Sequence, residues 1–202
     1  FANTSTSIMQ LRNTANNAHI NLFTLAGGPA FAVDGTINSV NIGKGANSVS
    51  NNTVLGLSAL DAAVTGNNNT SIGFSTLTSN TSGQQNTAVG SLALESNTTG
   101  QRNTSIGVSS LKANETNNNN TAVGYTSLFN NTANNNTGIG YATLSQNTSG
   151  TQNVAVGANA LDANTTASNN TAIGNEALTA NTTGADNVAV GANALDANTT
   201  AS

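Results

Sequence analysis

The stretch NTAVGSLALESNTTG, residues 86–100, decides the fold, because the chain keeps restating it. Asn86 opens the phrase, Val89 and Gly90 close its first part, Leu94 follows four residues after the glycine, and Asn97 three after that. The glycine recurs every 17 residues as Gly56, Gly73, Gly90, Gly107 and Gly124. After one 16-residue step it continues as Gly140, Gly157, Gly174 and Gly191. The leucine keeps pace at Leu60, Leu77, Leu111, Leu128, Leu144, Leu161, Leu178 and Leu195. The opening asparagine does so at Asn52, Asn69, Asn103, Asn120, Asn136, Asn153, Asn170 and Asn187, and the second asparagine from Asn80 to Asn198. A fixed period this short means one structural unit laid down repeatedly.

The unit reads as β, not helix. Its first part is rich in β-branched residues and ends in glycine, and a second breaker follows ten residues later, so no 12-residue window is left for a stable helix. That tenth position holds Gly66, Gly83, Gly100, Asn117, Asn134, Gly150, Ala167 and Gly184. Glycine and asparagine enter left-handed backbone space cheaply, which predicts a turn with positive φ there. The residue missing from the 16-residue step falls between Asn131 and Asn136, inside that turn. The expected fold is all-β: a repetitive β-solenoid or β-roll fibre with one 17-residue coil per repeat. Stacked coils would repeat at the 4.7–4.9 Å strand spacing. Asparagines would then form ladders, each amide donating to one neighbouring coil and accepting from the other.

Residues 1–36 stand outside the period and read as a lead-in module; residues 37–202 read as an array of about nine to ten repeats. In the lead-in, residues 20–25 alternate apolar and polar like a strand, and Gly27-Gly28-Pro29 breaks it. Asp34-Gly35 marks a second turn. The step from Gly43 to Gly56 is 13 residues, as expected of an atypical terminal repeat. A start without methionine and a stop within a repeat suggest a segment of something longer.

The 202 residues include 38 asparagines but only 6% charged and 3% aromatic side chains. Ordinary domains carry about 25% charge. Only Arg12, Lys44, Arg102 and Lys112 are basic, so nothing could follow a phosphate backbone and no nucleic-acid partner is expected. No stretch approaches 18 apolar residues, so no membrane insertion is expected in this segment. Cysteine is absent.

Within a coil, the candidate inward side chains are the valine or isoleucine before the glycine (Val89, Ile106, Val123, Val156) and the leucine (Leu94, Leu111, Leu128, Leu161). The candidate structural ladders are these two columns, the glycines Gly90, Gly107, Gly124 and Gly157, and Asn86, Asn103, Asn120 and Asn153. Two apolar side chains per coil bury little surface. This predicts association along the whole length, with the valine and leucine columns of several chains shared.

The phrases at 86–100, NTSIGVSSLKANETN at 103–117, and NVAVGANALDANTTAS at 153–168, repeated letter for letter at 187–202, resemble the repeats of bacteriophage tail-fibre and similar virion fibre proteins. The junction VDGTINSVNIGKGANSVSNNTVLG at 33–56 resembles the entry into such arrays. More distantly, the N-[ST]-x-[AVI]-G core is similar to the left-handed β-roll heads of trimeric autotransporter adhesins. The resemblance covers about residues 33–202 and implies a homotrimeric extracellular fibre. Such a fibre would serve as the shaft of a phage tail fibre, bringing a receptor-binding tip to a host surface through parts outside this segment. The alternative it implies is the head or stalk of a trimeric adhesin on a bacterial surface.

Recurring chemistry is sparse. His19 has no carboxylate partner in sequence and reads as a surface or interface histidine. Asp61, Glu95, Asp162 and Asp196 share one column with Lys112 and with uncharged residues, which describes a solvated edge better than acid–base work. No catalysis and no cofactor are expected. Asparagine stands where calcium-binding solenoids carry aspartate, and neutral amides are weaker oxygen ligands. A threonine column (Thr70, Thr87, Thr104, Thr121, Thr137, Thr171) raises ice binding by a monomeric solenoid as a third reading. Val154 and Val188 interrupt it, and threonine is also a good strand former. Phe74, Tyr125 and Tyr141 each follow a repeat glycine, where aromatics could stack on a sugar or simply pack. The Asn-x-Ser/Thr triplets match glycan acceptors, yet the repeat generates them automatically.

Overall fold

The computed structural model describes residues 10–12, 19–21, 35–37, 39–62 and 64–202. Two compact units divide the chain, Phe1–Asp34 and Gly35–Ser202. In the first, strands β1 (Gln10–Arg12) and β2 (His19–Asn21) pair antiparallel. The expected strand at 20–25 overlaps β2, and its remainder lies outside the described residues, as does the Gly27-Gly28-Pro29 turn.

The second unit is a β-solenoid of about eight coils. Each N-[ST]-x-[AVI]-G phrase forms one three-residue strand, as in β7 (Thr87–Val89), β8 (Thr104–Ile106) and β9 (Thr121–Val123). Around them stand β5 (Thr53–Gly56) and β6 (Thr70–Ile72) before, and β10 (Thr137–Ile139), β11 (Val154–Val156), β12 (Thr171–Ile173) and β13 (Val188–Val190) after. From β5 to β13 every neighbouring pair is parallel and in register, so Thr87 lies over Thr70 and Val89 over Ile72. The 16-residue step preserves this: Thr137 pairs Thr121 and Ile139 pairs Val123.

Backbone bonds between coils continue beyond the strands. Gly90 donates to Ile72 (2.8 Å), Leu92 to Phe74 (2.8 Å), Leu94 to Ser110 (3.1 Å) and Thr98 to Glu115 (2.7 Å). Nearly the whole perimeter therefore acts as a ladder, which answers where a coil with so little regular strand places its backbone groups.

The first turn of the stack is closed by a cap. Strand β4 (Val40–Gly43) pairs antiparallel with both β3 (Gly35–Ile37) and β5. Gly43 therefore ends a hairpin strand, and the 13-residue step is a cap in place of a short coil. The following one-turn 3₁₀ helix, Ala46–Ser48, lies against the first coil. Ala46 N–H donates to Leu60 O (3.1 Å) and Asn47 Nδ2 to Val64 O (3.1 Å).

Three columns fill the core. The leucines from Leu60 to Leu178 are fully buried. Beside them lie the middle strand residues (Ala88, Ser105, Ala122, Ala155, Ala172) and the third residue after each glycine (Ala93, Ser110, Ser127, Ala160, Ala177). Stacking causes the burial: Leu195, with no coil beyond it, is 50% exposed, whereas Leu178 one coil earlier is 0%.

Candidate functional site

Strand alternation puts Ala88 inward and therefore Thr87 and Val89 outward. The column Val89, Ile106, Val123 and Val156, expected to face inward, instead lies on the surface; Ile106, Ile139 and Ile173 are about two-fifths exposed. Val54 is buried at this inward position in β5, but from β6 onward the interior beside the leucines holds only small side chains. At Gly138 even a Cβ would lie 2.7 Å from Ser127 Oγ and 2.8 Å from Thr143 Oγ1. One leucine per coil fills that space, so the valine column has no room inside.

The leucines reach the core by an unexpected backbone. Leu94 has φ 49°, and its counterparts match it, from Leu111 at 47° to Leu128 at 53°. Left-handed backbone costs a non-glycine residue roughly 1–2 kcal/mol, and full burial of a leucine returns about 1.5–3 kcal/mol. The other left-handed positions are the second residue after the glycine (Ser75, Leu92, Ser109) and the residue before the opening asparagine (Gln85, Arg102, Asn119). The tenth position, where positive φ was expected, does not adopt it. Its small residues answer to space: a Cβ on Gly83 would stand 2.5 Å from Gly100 O and 2.7 Å from Asn97 Nδ2. Gly90 requires both freedoms, with φ 127° and Gly107 O 2.7 Å from any added Cβ.

The asparagines form two buried columns with different chemistry. In the first, Asn86 Oδ1 accepts the backbone N–H of Asn103 (3.0 Å), and Asn103 Oδ1 accepts that of Asn120 (2.9 Å). Each Nδ2 crosses the coil to a turn carbonyl, Asn86 to Gly100 O at 2.8 Å and Asn153 to Ala167 O at 2.8 Å. This column runs unbroken from Asn52 to Asn187. In the second column the amides bond one another as expected: Asn97 Nδ2 donates to Asn80 Oδ1 (2.8 Å) and Asn114 Nδ2 to Asn97 Oδ1 (3.0 Å).

That second ladder breaks at the 16-residue step. Asn131 donates to Ala133 O (2.8 Å), two residues on, where Asn97 donates to Gly100 O, three residues on. The missing residue thus falls between Asn131 and Ala133, and Ala133, not Asn134, occupies the tenth-position column. Asn114 Oδ1 is left buried without a partner, and Asn136 Nδ2 donates to Asn131 Oδ1 (3.0 Å) in addition to Gly150 O (2.7 Å). The ladder resumes with Asn147 on Asn131 (2.6 Å).

Two further patterns escaped the sequence reading. When the middle strand residue is serine, its core neighbour in the same coil is also a hydroxyl: Ser71 with Thr76 (2.6 Å) and Ser105 with Ser110 (2.5 Å). Where it is alanine, the neighbour is usually alanine, as in Ala88 with Ala93. Buried hydroxyls need partners, so the two positions match. A second threonine column follows the second asparagine, and its hydroxyls bond the next coil: Thr81 to Thr98 O (3.1 Å), Thr148 to Thr165 O (3.0 Å).

Charged groups stay dispersed. Lys112 Nζ lies 3.3 Å from Glu95 Oε2, and Ser145 Oγ donates to Asp162. Among the described residues no three acidic, histidine or cysteine side chains gather, and no helix is long and apolar enough to cross a membrane. Asn80, Asn97, Asn114, Asn147, Asn164 and Asn181 all begin Asn-x-Ser/Thr triplets and are fully buried, so a glycan there is incompatible with the coil. Tyr125 and Tyr141 stack at 5.6 Å, nearly parallel, and both are more than half exposed.

The feature open to a partner is therefore the outward strand face. No family model, curated protein or solved structure matches the chain. What the face does is read from its own chemistry.

Proposed function

We propose that the chain is the shaft of a homotrimeric extracellular fibre, a phage tail fibre or related appendage that carries a receptor-binding tip toward a host surface. The observation behind this reading is the first asparagine column, which binds each coil to the next without a break. With bonded backbone around the perimeter, such a stack resists local opening and bends little, and those are the demands on a shaft. The resemblance of the repeats to virion fibres supplies the host-attachment role and the three-fold symmetry.

The single-chain core alters the reason for association. The leucines are buried by their own chain, so partners are needed for the outward aliphatic column alone. An antibody to residues 35–202 viewed by electron microscopy tests the reading. Decoration of virion tails is expected; decoration of bacterial envelopes would replace it with an adhesin head or stalk, and decoration of neither overturns both.

Ice binding is a second reading, favoured by one observation: Thr70, Thr87, Thr104, Thr121 and Thr137 stand in register along the strand face. A monomer with thermal hysteresis activity would establish it against the fibre.

A further inference from the structure

Two surface columns lie on the strand face, and a third follows them past the glycine bend. The first is threonine or valine, from Thr53 to Val188. The second is wholly aliphatic: Leu55, Ile72, Val89, Ile106, Val123, Ile139, Val156, Ile173 and Val190. The third follows the glycine and is mixed: Leu57, Phe74, Val108, Tyr125 and Tyr141 are each between 43% and 57% exposed, and Ser91, Ala158, Asn175 and Ala192 fill its other places. Every charged residue of Gly35–Ser202 lies off these columns. Exposed apolar surface of this extent and continuity marks an interface.

We propose that this face is the contact between copies of this chain, the occupant being a second copy laid along it. The proposal rests on the oligomeric shaft reading and adds which surface makes the oligomer. Commensurate spacing selects the partner. The face presents an aliphatic group at each strand step of about 4.8 Å, and a second solenoid presents side chains at that same step along its whole length. A partner without the period would meet a few coils and miss the rest. The absence of charge points the same way, because an uncharged face opposes its own copy without repulsion.

Size agrees. Eight steps of about 4.8 Å by five residues of about 3.3 Å give roughly 600 Å² on each chain. Two such faces bury about 1,200 Å², the lower end of the range for stable specific association. Stacked Tyr125 and Tyr141, with Phe74 and Val108 in the same column, supply the large side chains in which interfaces concentrate their energy.

The test measures mass in solution over a dilution series for three forms of the full chain: wild type, Ile106→Lys with Ile139→Lys, and Thr99→Lys with Thr166→Lys as the control. Thr99 and Thr166 are exposed in the turn after the second asparagine column. Wild type and control should be multimers, and the strand-face variant should fall to the 20.0 kDa of one chain with its β circular dichroism retained. Because the chain has no cysteine, single cysteines provide a readout that adds no charge to the face. Ile106→Cys should give covalent multimers with a short bis-maleimide, and Thr99→Cys should not. A multimer that survives the strand-face lysines, or crosslinks at Thr99→Cys but not at Ile106→Cys, overturns this face and leaves the shaft reading standing. A wild type that is monomeric throughout overturns the association in both.

Discussion

The two asparagine columns look interchangeable in the sequence, yet one crosses the 16-residue coil intact and the other breaks there. In the first, the side-chain oxygen accepts a backbone N–H that the in-register strands hold at a fixed height, so bonds on either side of the short coil remain 2.9 Å. In the second, amide bonds amide, and both partners sit in a turn whose path shortens by one residue. Asn114 Oδ1 loses its donor as a result. A ladder anchored to strand backbone survives a change of perimeter, and a ladder between turn side chains does not.

That contrast can be broken experimentally, and the largest effect belongs to the anchored column. Asn103→Ala leaves the buried backbone N–H of Asn120 without its acceptor and opens a small void. It should destabilise by about 3 kcal/mol, read from denaturant unfolding. Asn97→Ala in the turn column orphans Asn80 Oδ1, while Gly100 O keeps Asn86 as donor. Its expected cost is about 2 kcal/mol.

Asn114→Ala sharpens the comparison further. It orphans Asn97 Oδ1 but removes an acceptor that already had no partner, so the number of buried unsatisfied groups does not rise. About 1 kcal/mol is expected, and a loss equal to that of Asn97→Ala would show that the break at the short coil has no energetic meaning. The smallest effect is a gain. Inserting one glycine between Thr132 and Ala133 restores the 17-residue period and lets Asn131 reach Asn114. A melting midpoint raised slightly is the expected result, and a fall would place the value of the short coil elsewhere.

Much of the fold is legible in the residues. Recurrence of Asn86, Gly90, Leu94 and Asn97 implied coils, the β-branched phrase implied the strand, and the missing residue between Asn131 and Asn136 implied a shortened turn. Hydroxyl matching went unread although the residues carry it: Ser105 with Ser110 against Ala88 with Ala93 needs only the knowledge that a buried hydroxyl requires a partner. The candidate site was not legible. Val89 is the most apolar residue of its phrase and Ala88 carries a single methyl group, so ranking by hydrophobicity turns the strand inside out, and a strand reversed by one residue changes every face.

Period, strand, the existence of asparagine columns and the stretch that holds the deletion were thus determined by the sequence alone, because they depend on spacing along the chain. Three things were decided only by the tertiary structure: which strand face is core, which residues take left-handed backbone, and where the second ladder breaks. All three depend on the space between coils. Beyond the first coil, where Val54 still points in, a single leucine fills it, so alanine or serine points in, valine points out, and the leucine accepts a strained φ to reach its place.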